Sequence, residues 1–162
     1  MPRSWSAGSP PTGSAPDPEV RIQQEQVTPG FVVMPYLQID VPNHYPPAQK
    51  QRLAKRLGEI YAEAMQANVK RISIAVRELV DGGIWRCTEG EPYQAALLMC
   101  DIRRGRPADQ RAKLAQALVD ACVEILALRI DQVNVEFTQH AGDEMFHPML
   151  GGLSDDWAAG EA

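Results

Sequence analysis

The sequence has no uninterrupted run of the roughly 18 apolar residues that a membrane-crossing helix needs. This holds although hydrophobic residues fill 44% of its 162 positions. The first residues contain no continuous apolar segment of the secretory type, so neither a membrane nor an export route is expected. Cysteine is scarce: Cys87, Cys100 and Cys122 share no C-x-x-C spacing and form an odd set, which argues against a disulfide framework. Buried thiols in a reducing cytoplasm are the expectation. Basic charge is also short. Sixteen Lys and Arg against 21 Asp and Glu leave a formal net charge of −5, the wrong sign for a nucleic-acid partner.

What is present falls into three parts. Residues 1–33 are led by proline, glycine and serine, with no apolar period of 2 or 3.6. Such a segment cannot bury enough apolar surface to offset its ordering entropy. It is expected to be a disordered tail, or upstream sequence from a start site placed too early. From Met34 to about residue 150 the pattern is that of a folded domain, and residues 151–162 resemble a solvated acidic tail in which Trp157 could dock.

The domain repeats itself. A shift of 61 residues lays Leu98-Met99-Cys100-Asp101-Ile102 over Leu37-Gln38-Ile39-Asp40-Val41. The same shift lays Leu114, Leu118, Ala121 and Ile125 over Leu53, Leu57, Ile60 and Ala64, and Val133, Val135 and Phe137 over Ile72, Ile74 and Val76. Positions 53, 57, 60 and 64 have the spacing of one helix face. Pro46-Pro47 and Pro107 stand where the start of a helix tolerates proline, because the first amides have no partners. RISIAVREL and QVNVEFTQ alternate with the period of half-buried strands.

Each half, about 34–79 and 95–140, is thus a strand, a helix and a strand, with the two strands parallel. The predicted fold is α+β: tandem β-α-β units forming a four-stranded sheet with two helices on one face. Residues 80–94 are the turn-rich connector. An uncovered sheet face implies a homo-oligomer.

In TPGFVVMPYLQIDVP, residues 28–42, a methionine precedes a proline at the head of the first strand. With the β-α-β repeat and the segment DIRRGRPADQ, residues 101–110, this resembles the tautomerase superfamily, and in particular its fused double-length members of the cis-3-chloroacrylic acid dehalogenase group. The resemblance covers about residues 34–147. It implies keto–enol isomerase activity on a small carboxylate-bearing substrate, without metal or cofactor, in a homotrimer. In that family the amino-terminal proline is the general base, a role that carries to Pro35 once Met34 begins the chain and is removed. An internal proline is a tertiary amide with no basic lone pair. The family's R-x-G-R pattern carries to Arg103 and Arg106, which would hold the substrate carboxylate in a guanidinium fork. Tyr45 occupies the place of an arginine of the single-unit members, and Trp85 lies near their pocket-closing aromatic. Tyr45 and Trp85 are therefore expected to line the pocket.

Other family positions differ. Ser73 replaces a second arginine, Tyr61 stands near a first-helix histidine, Glu136 replaces a last-strand tyrosine, and His147 falls near a water-activating glutamate. These departures disfavour a hydrolytic dehalogenase more than a tautomerase. HAGDEMFHPM gathers His140, Asp143, Glu144 and His147, but Gly142 and Pro148 shorten any helix that would align them on a metal. His44 is expected in a surface loop at the pocket mouth. The rival readings are a dehalogenase or decarboxylase of the same superfamily, or a non-enzymatic ferredoxin-like ligand-binding or structural module. RNA binding is disfavoured, because the strands offer Leu, Ile, Val and Ser rather than stacking aromatics.

Overall fold

A computed structural model of the chain describes residues 35–144, 146–148 and 152–153. The expectations for residues 1–33, for Met34 and for Trp157 lie outside the described residues.

The first unit consists of β1 (Tyr36–Val41), α1 (Pro47–Met65) and β2 (Ser73–Glu78). The connector holds two short strands, β3 (Trp85–Arg86) and β4 (Tyr93–Gln94), and the second unit is β5 (Ala96–Arg103), α2 (Ala108–Leu126) and β6 (Val133–His140). A small hairpin of β7 (Phe146–His147) and β8 (Gly152–Leu153) follows.

The 61-residue repeat is kept down to the helix ends. Both helices have 19 residues, and they begin after Pro46 and after Pro107. They end on left-handed residues, Gln66 (φ 50°) and Ala127 (φ 54°). After Gln66 the left-handed turn lets the following backbone return to the helix end, where Ala67 N donates to Ala62 O at 3.0 Å. A short 3-10 turn precedes each outer strand, Val69–Arg71 in one unit and Ile130–Gln132 in the other.

The strand order is β2-β1-β5-β6. β1 pairs with β2, and β5 with β6, in parallel, each pair joined by its helix. β1 and β5 meet antiparallel at the centre, with Leu37 opposite Cys100 and Ile39 opposite Leu98. That central pairing makes the sheet two-fold symmetric in outline, so each end of it is built by equivalent parts of the two units.

Alternation decides which face is covered. Leu37, Ile39 and Val41 in β1, with Leu98, Cys100 and Ile102 in β5, are buried with Leu53, Leu57, Leu114 and Leu118 of the helices. Each large aliphatic chain so buried stabilises the fold by about 1.5–3 kcal/mol relative to exposure.

The opposite face is polar on its β1–β2 side. Arg77 donates from Nε and Nη2 to the two carboxylate oxygens of Asp40 at 2.7 and 2.9 Å, and Gln38 Nε2 donates to the same carboxylate at 3.2 Å. In the second unit Asp101 takes the place of Asp40, and Thr138, which stands where Arg77 does, donates its hydroxyl to that carboxylate.

The connector is more ordered than its turn-rich composition predicts. β3 and β4 form a hairpin, and Arg86 Nη1 donates to Asn134 Oδ1 at 2.7 Å, which docks that hairpin on β6. Strands of two residues are too short for a periodicity to register.

Candidate functional site

Pro35 precedes β1 and is buried. Its carbonyl accepts from Ser73 N at 3.1 Å, which ties it to the start of β2. On its other side, the β1–β5 register runs from Asp40 opposite Leu97 to Leu37 opposite Cys100. Continued by two residues, it sets Pro35 beside Ile102, next to the last residue of β5, Arg103. The proline and the R-x-G-R segment therefore share one end of the sheet.

The two arginines are reached by a tight turn. Gly105 has φ 96°, a conformation that residues with a Cβ rarely adopt. Arg103 is 1% exposed and Arg106 8%. Arg106 Nη2 donates to Met65 O at 2.8 Å, placing its charge at the C-terminal end of α1. That end carries the negative pole of the helix dipole, which favours a cation.

Tyr61, also on α1 and 1% exposed, donates its hydroxyl to Asp101 O at 2.9 Å. Burial raises its pKa far above the usual phenol range. The neighbouring Cys100 and Asp101 push the same way, and the charges of Arg106 and Arg103 pull against them. The phenol is thus a neutral donor beside two buried cations. His140 ends β6 opposite Arg103, with Nε2 3.5 Å from Asp101 Oδ1 and Nδ1 3.7 Å from Glu144 Oε2.

Tyr45 and Trp85 are elsewhere. Tyr45 follows β1 at the far end of the sheet, where Glu78 gathers three donors. His44 Nδ1 lies 3.0 Å from Glu78 Oε2, while Tyr45 N and Lys50 Nζ donate to Oε1 at 2.8 and 2.9 Å. The His44 bond, then the Tyr45 amide, then Lys50 hold the Glu78 pKa down at about 2.

Trp85 is half-exposed, donates Nε1 to Gly82 O, and lines a groove of about 290 Å³ with Arg86, Asn134 and Glu136. That groove abuts Leu97, and the six steps of β5 from Leu97 to Arg103 span about 20 Å. Within one chain, then, neither Tyr45 nor Trp85 reaches Pro35, and the expected five-residue pocket divides in two. Glu136 lies with Trp85.

The repeat explains the division. Sixty-one residues separate Tyr45 from Arg106, Pro42 from Arg103, and Pro35 from Ala96. The far end is the first unit's version of the proline end, with the proline and both arginines replaced. The spacing alone could have revealed Tyr45 as the counterpart of Arg106.

Arg71 is buried in the 3-10 turn just before Ser73. Among the described residues no group of three or more His, Cys, Asp or Glu side chains is placed to share a metal ion. His140 and Glu144 approach one another from a strand end and a 3-10 turn, not from a helix.

Residues 35–89 match the family model described as Tautomerase enzyme. In fold the chain is similar to a wild-type fused 4-OT, Q0, a symmetric trimer (TM-score 0.64, 23% identity, covering 74% of this chain and 94% of that one). It is similar to N1, a member of the cis-3-chloroacrylic acid dehalogenase family (TM-score 0.65, 17% identity, 75% and 85% covered). It is also similar to the macrophage migration inhibitory factor of Toxoplasma gondii (TM-score 0.60, 20% identity, 70% and 96% covered). No curated protein matches it in sequence.

Proposed function

We propose that this chain, a double-length member of the tautomerase superfamily by the match of its first unit and the fold of both, interconverts enol and keto forms of a small carboxylate-bearing substrate. The observation that carries this reading is the meeting of Pro35, Arg103 and Arg106 at one end of the sheet, while the equivalent end has Ala96, Pro42 and Tyr45.

In the active form Met34 is the translated start and is removed, leaving Pro35 with a secondary amine. An ordinary α-amine has a pKa of about 8, and buried cations nearby favour its neutral, basic form. The guanidinium groups of Arg103 and Arg106 hold the substrate carboxylate. The Pro35 nitrogen takes the enol O–H proton as the carbonyl forms. The electron pair of the C=C bond then accepts that proton from the ammonium at carbon. No water is consumed and no bond other than these changes order.

A trimer suits this assembly, since the fused 4-OT Q0 is a symmetric trimer and among the described residues both long helices pack on the same sheet face. No helix of the described residues is long and apolar enough to cross a membrane.

The test compares a chain expressed from Met34, with its methionine removed, against the 162-residue chain. The short form should ketonise phenylenolpyruvate or 2-hydroxymuconate, and Pro35→Ala should fold yet lose most of the rate. The long form, with the nitrogen locked in an amide, should be nearly inactive. Equal activity of both forms would exclude Pro35 as the base.

A further inference from the structure

The two units give the same carboxylate different partners. In the first, Asp40 pairs in register with Arg77, and the guanidinium holds it through two hydrogen bonds. Sixty-one residues on, Asp101 pairs in register with Thr138, so a hydroxyl replaces that permanent cation. The positive charge near Asp101 comes from the next residue on the same face of β6, His140, whose Nε2 is 3.5 Å from Asp101 Oδ1. The first unit has Leu79 at that place. A guanidinium keeps its charge at every working pH, whereas an imidazole gains or loses a proton between about pH 5 and 8.

This exchange happens beside the R-x-G-R segment. Arg103 and His140 are partners in the β5–β6 register, so their backbones are about 4.8 Å apart, and Asp101 lies about 7 Å back along β5. The His140 carbonyl accepts from Arg104 N at 2.8 Å, which ties the loop to the end of β6. On the other side of the ring, Glu144 Oε2 lies 3.7 Å from Nδ1 and accepts from Ala141 N at 2.8 Å. His140 thus has a carboxylate near each nitrogen. Of the elements around it, β5 brings Asp101 and Arg103, and the loop after β5 brings Arg104 and Arg106. The turn after β6 brings Asp143 and Glu144, and α1 brings the neutral Tyr61.

Resting on the tautomerase reading, we infer that His140 is a positioning residue of the Pro35 site, whose imidazolium pairs with Asp101 and Glu144 and keeps their charge from opposing a substrate carboxylate at Arg103. It acts through those two carboxylates and does not touch the substrate. With the proton on the ring, one of the two negative charges is cancelled. With the proton gone, both act on the incoming anion. Carboxylate affinity therefore falls as pH rises through the titration of His140, while the Pro35 amine gains its basic form in the same direction.

The experiment uses the chain beginning at Pro35 with His140→Gln and His140→Lys. Glutamine keeps a donor without a titrating charge, and lysine keeps the charge throughout. Calorimetry reads the Kd of cinnamate, an unreactive carboxylate, from about pH 5.5 to 8.5, where carboxylates are ionised. Any effect of the Pro35 charge is common to all three chains and cancels in their ratios. At the acid end His140→Gln should bind about three- to tenfold more weakly than the parent, the scale of one nearby unit charge, and the two should converge at the alkaline end. His140→Lys should match the parent in acid and bind more tightly in alkali. The KM for phenylenolpyruvate should follow the same ratios, with the acid limb of kcat unmoved. Ratios that stay constant across the range would overturn the assignment, since a purely structural role has no such pH dependence. Cinnamate that binds none of the chains would overturn it together with the anion site. A parent that shows the expected ratios but turns nothing over would count against the Pro35 base and leave His140 standing.

Discussion

The hydroxyl of Tyr61 donates to the carbonyl oxygen of Asp101 at 2.9 Å, fastening the first unit's helix to the second unit's strand just before Arg103. Neither unit alone contains this bond. Tyr61→Phe keeps the ring in the core and removes only the donor. It should lower stability by about 1–2 kcal/mol, measured as a shift of the urea midpoint at constant slope. Because Arg103 lies two residues further on, the KM of a carboxylate substrate should rise as well. A variant as stable as the parent would mean that the Asp101 carbonyl finds another donor.

Arg103→Ala and Arg106→Ala should each raise the KM for a carboxylate substrate tenfold or more, since a hydrogen bond to a charged group contributes about 1.5–3 kcal/mol. The two differ in their effect on the fold. Arg106 also holds Met65 O at the end of α1, so its removal should lower the unfolding midpoint, with the helix-end interaction contributing about 0.3–1 kcal/mol. Kinetics unchanged in both variants would move the carboxylate site elsewhere.

Glu78 gives a pH signature at the end of the sheet away from Pro35. Its folded pKa, held at about 2 by His44, the Tyr45 amide and Lys50, is below the ordinary carboxylate value. A depressed carboxylate contributes stability that is present above its unfolded pKa and lost as pH falls through the folded one. Between about pH 5 and pH 2 the parent should therefore lose stability that Glu78→Gln lacks throughout. Urea midpoints of the two proteins should converge at the acid limit. A gap that stays constant down to pH 2 would contradict the assignment.

Much of the fold is legible in the sequence because the repeat is long and its periods are strong. Leu53, Leu57, Leu114 and Leu118 declare two helix faces, and the prolines before them mark where both helices begin. Period-2 alternation in RISIAVREL and QVNVEFTQ marks the outer strands, β2 and β6. Pro35, Arg103 and Arg106 are singled out by the resemblance, and the β1–β5 register brings them to one end of the sheet.

The division of the pocket is not legible. Correspondence along the chain puts Tyr45 and Trp85 with the proline, but it does not say which end of a sheet a residue occupies. Antiparallel pairing of β1 with β5 decides that, and it depends on contacts between the units.

The inequality of Arg106 and Tyr45 has a further meaning for how such a molecule can change. In a pair of separate identical units, every substitution is inherited at both ends at once. No residue can then be freed from catalysis at one end while serving it at the other. Joining the two units in one chain removes that constraint. Arg106 stays in the loop at the proline end, whereas at the other end the backbone amide of Tyr45 anchors its loop on Glu78. On the proposed function, each chain then has one proline end that can be tuned for a single reaction, while substitutions at the other end leave that reaction untouched.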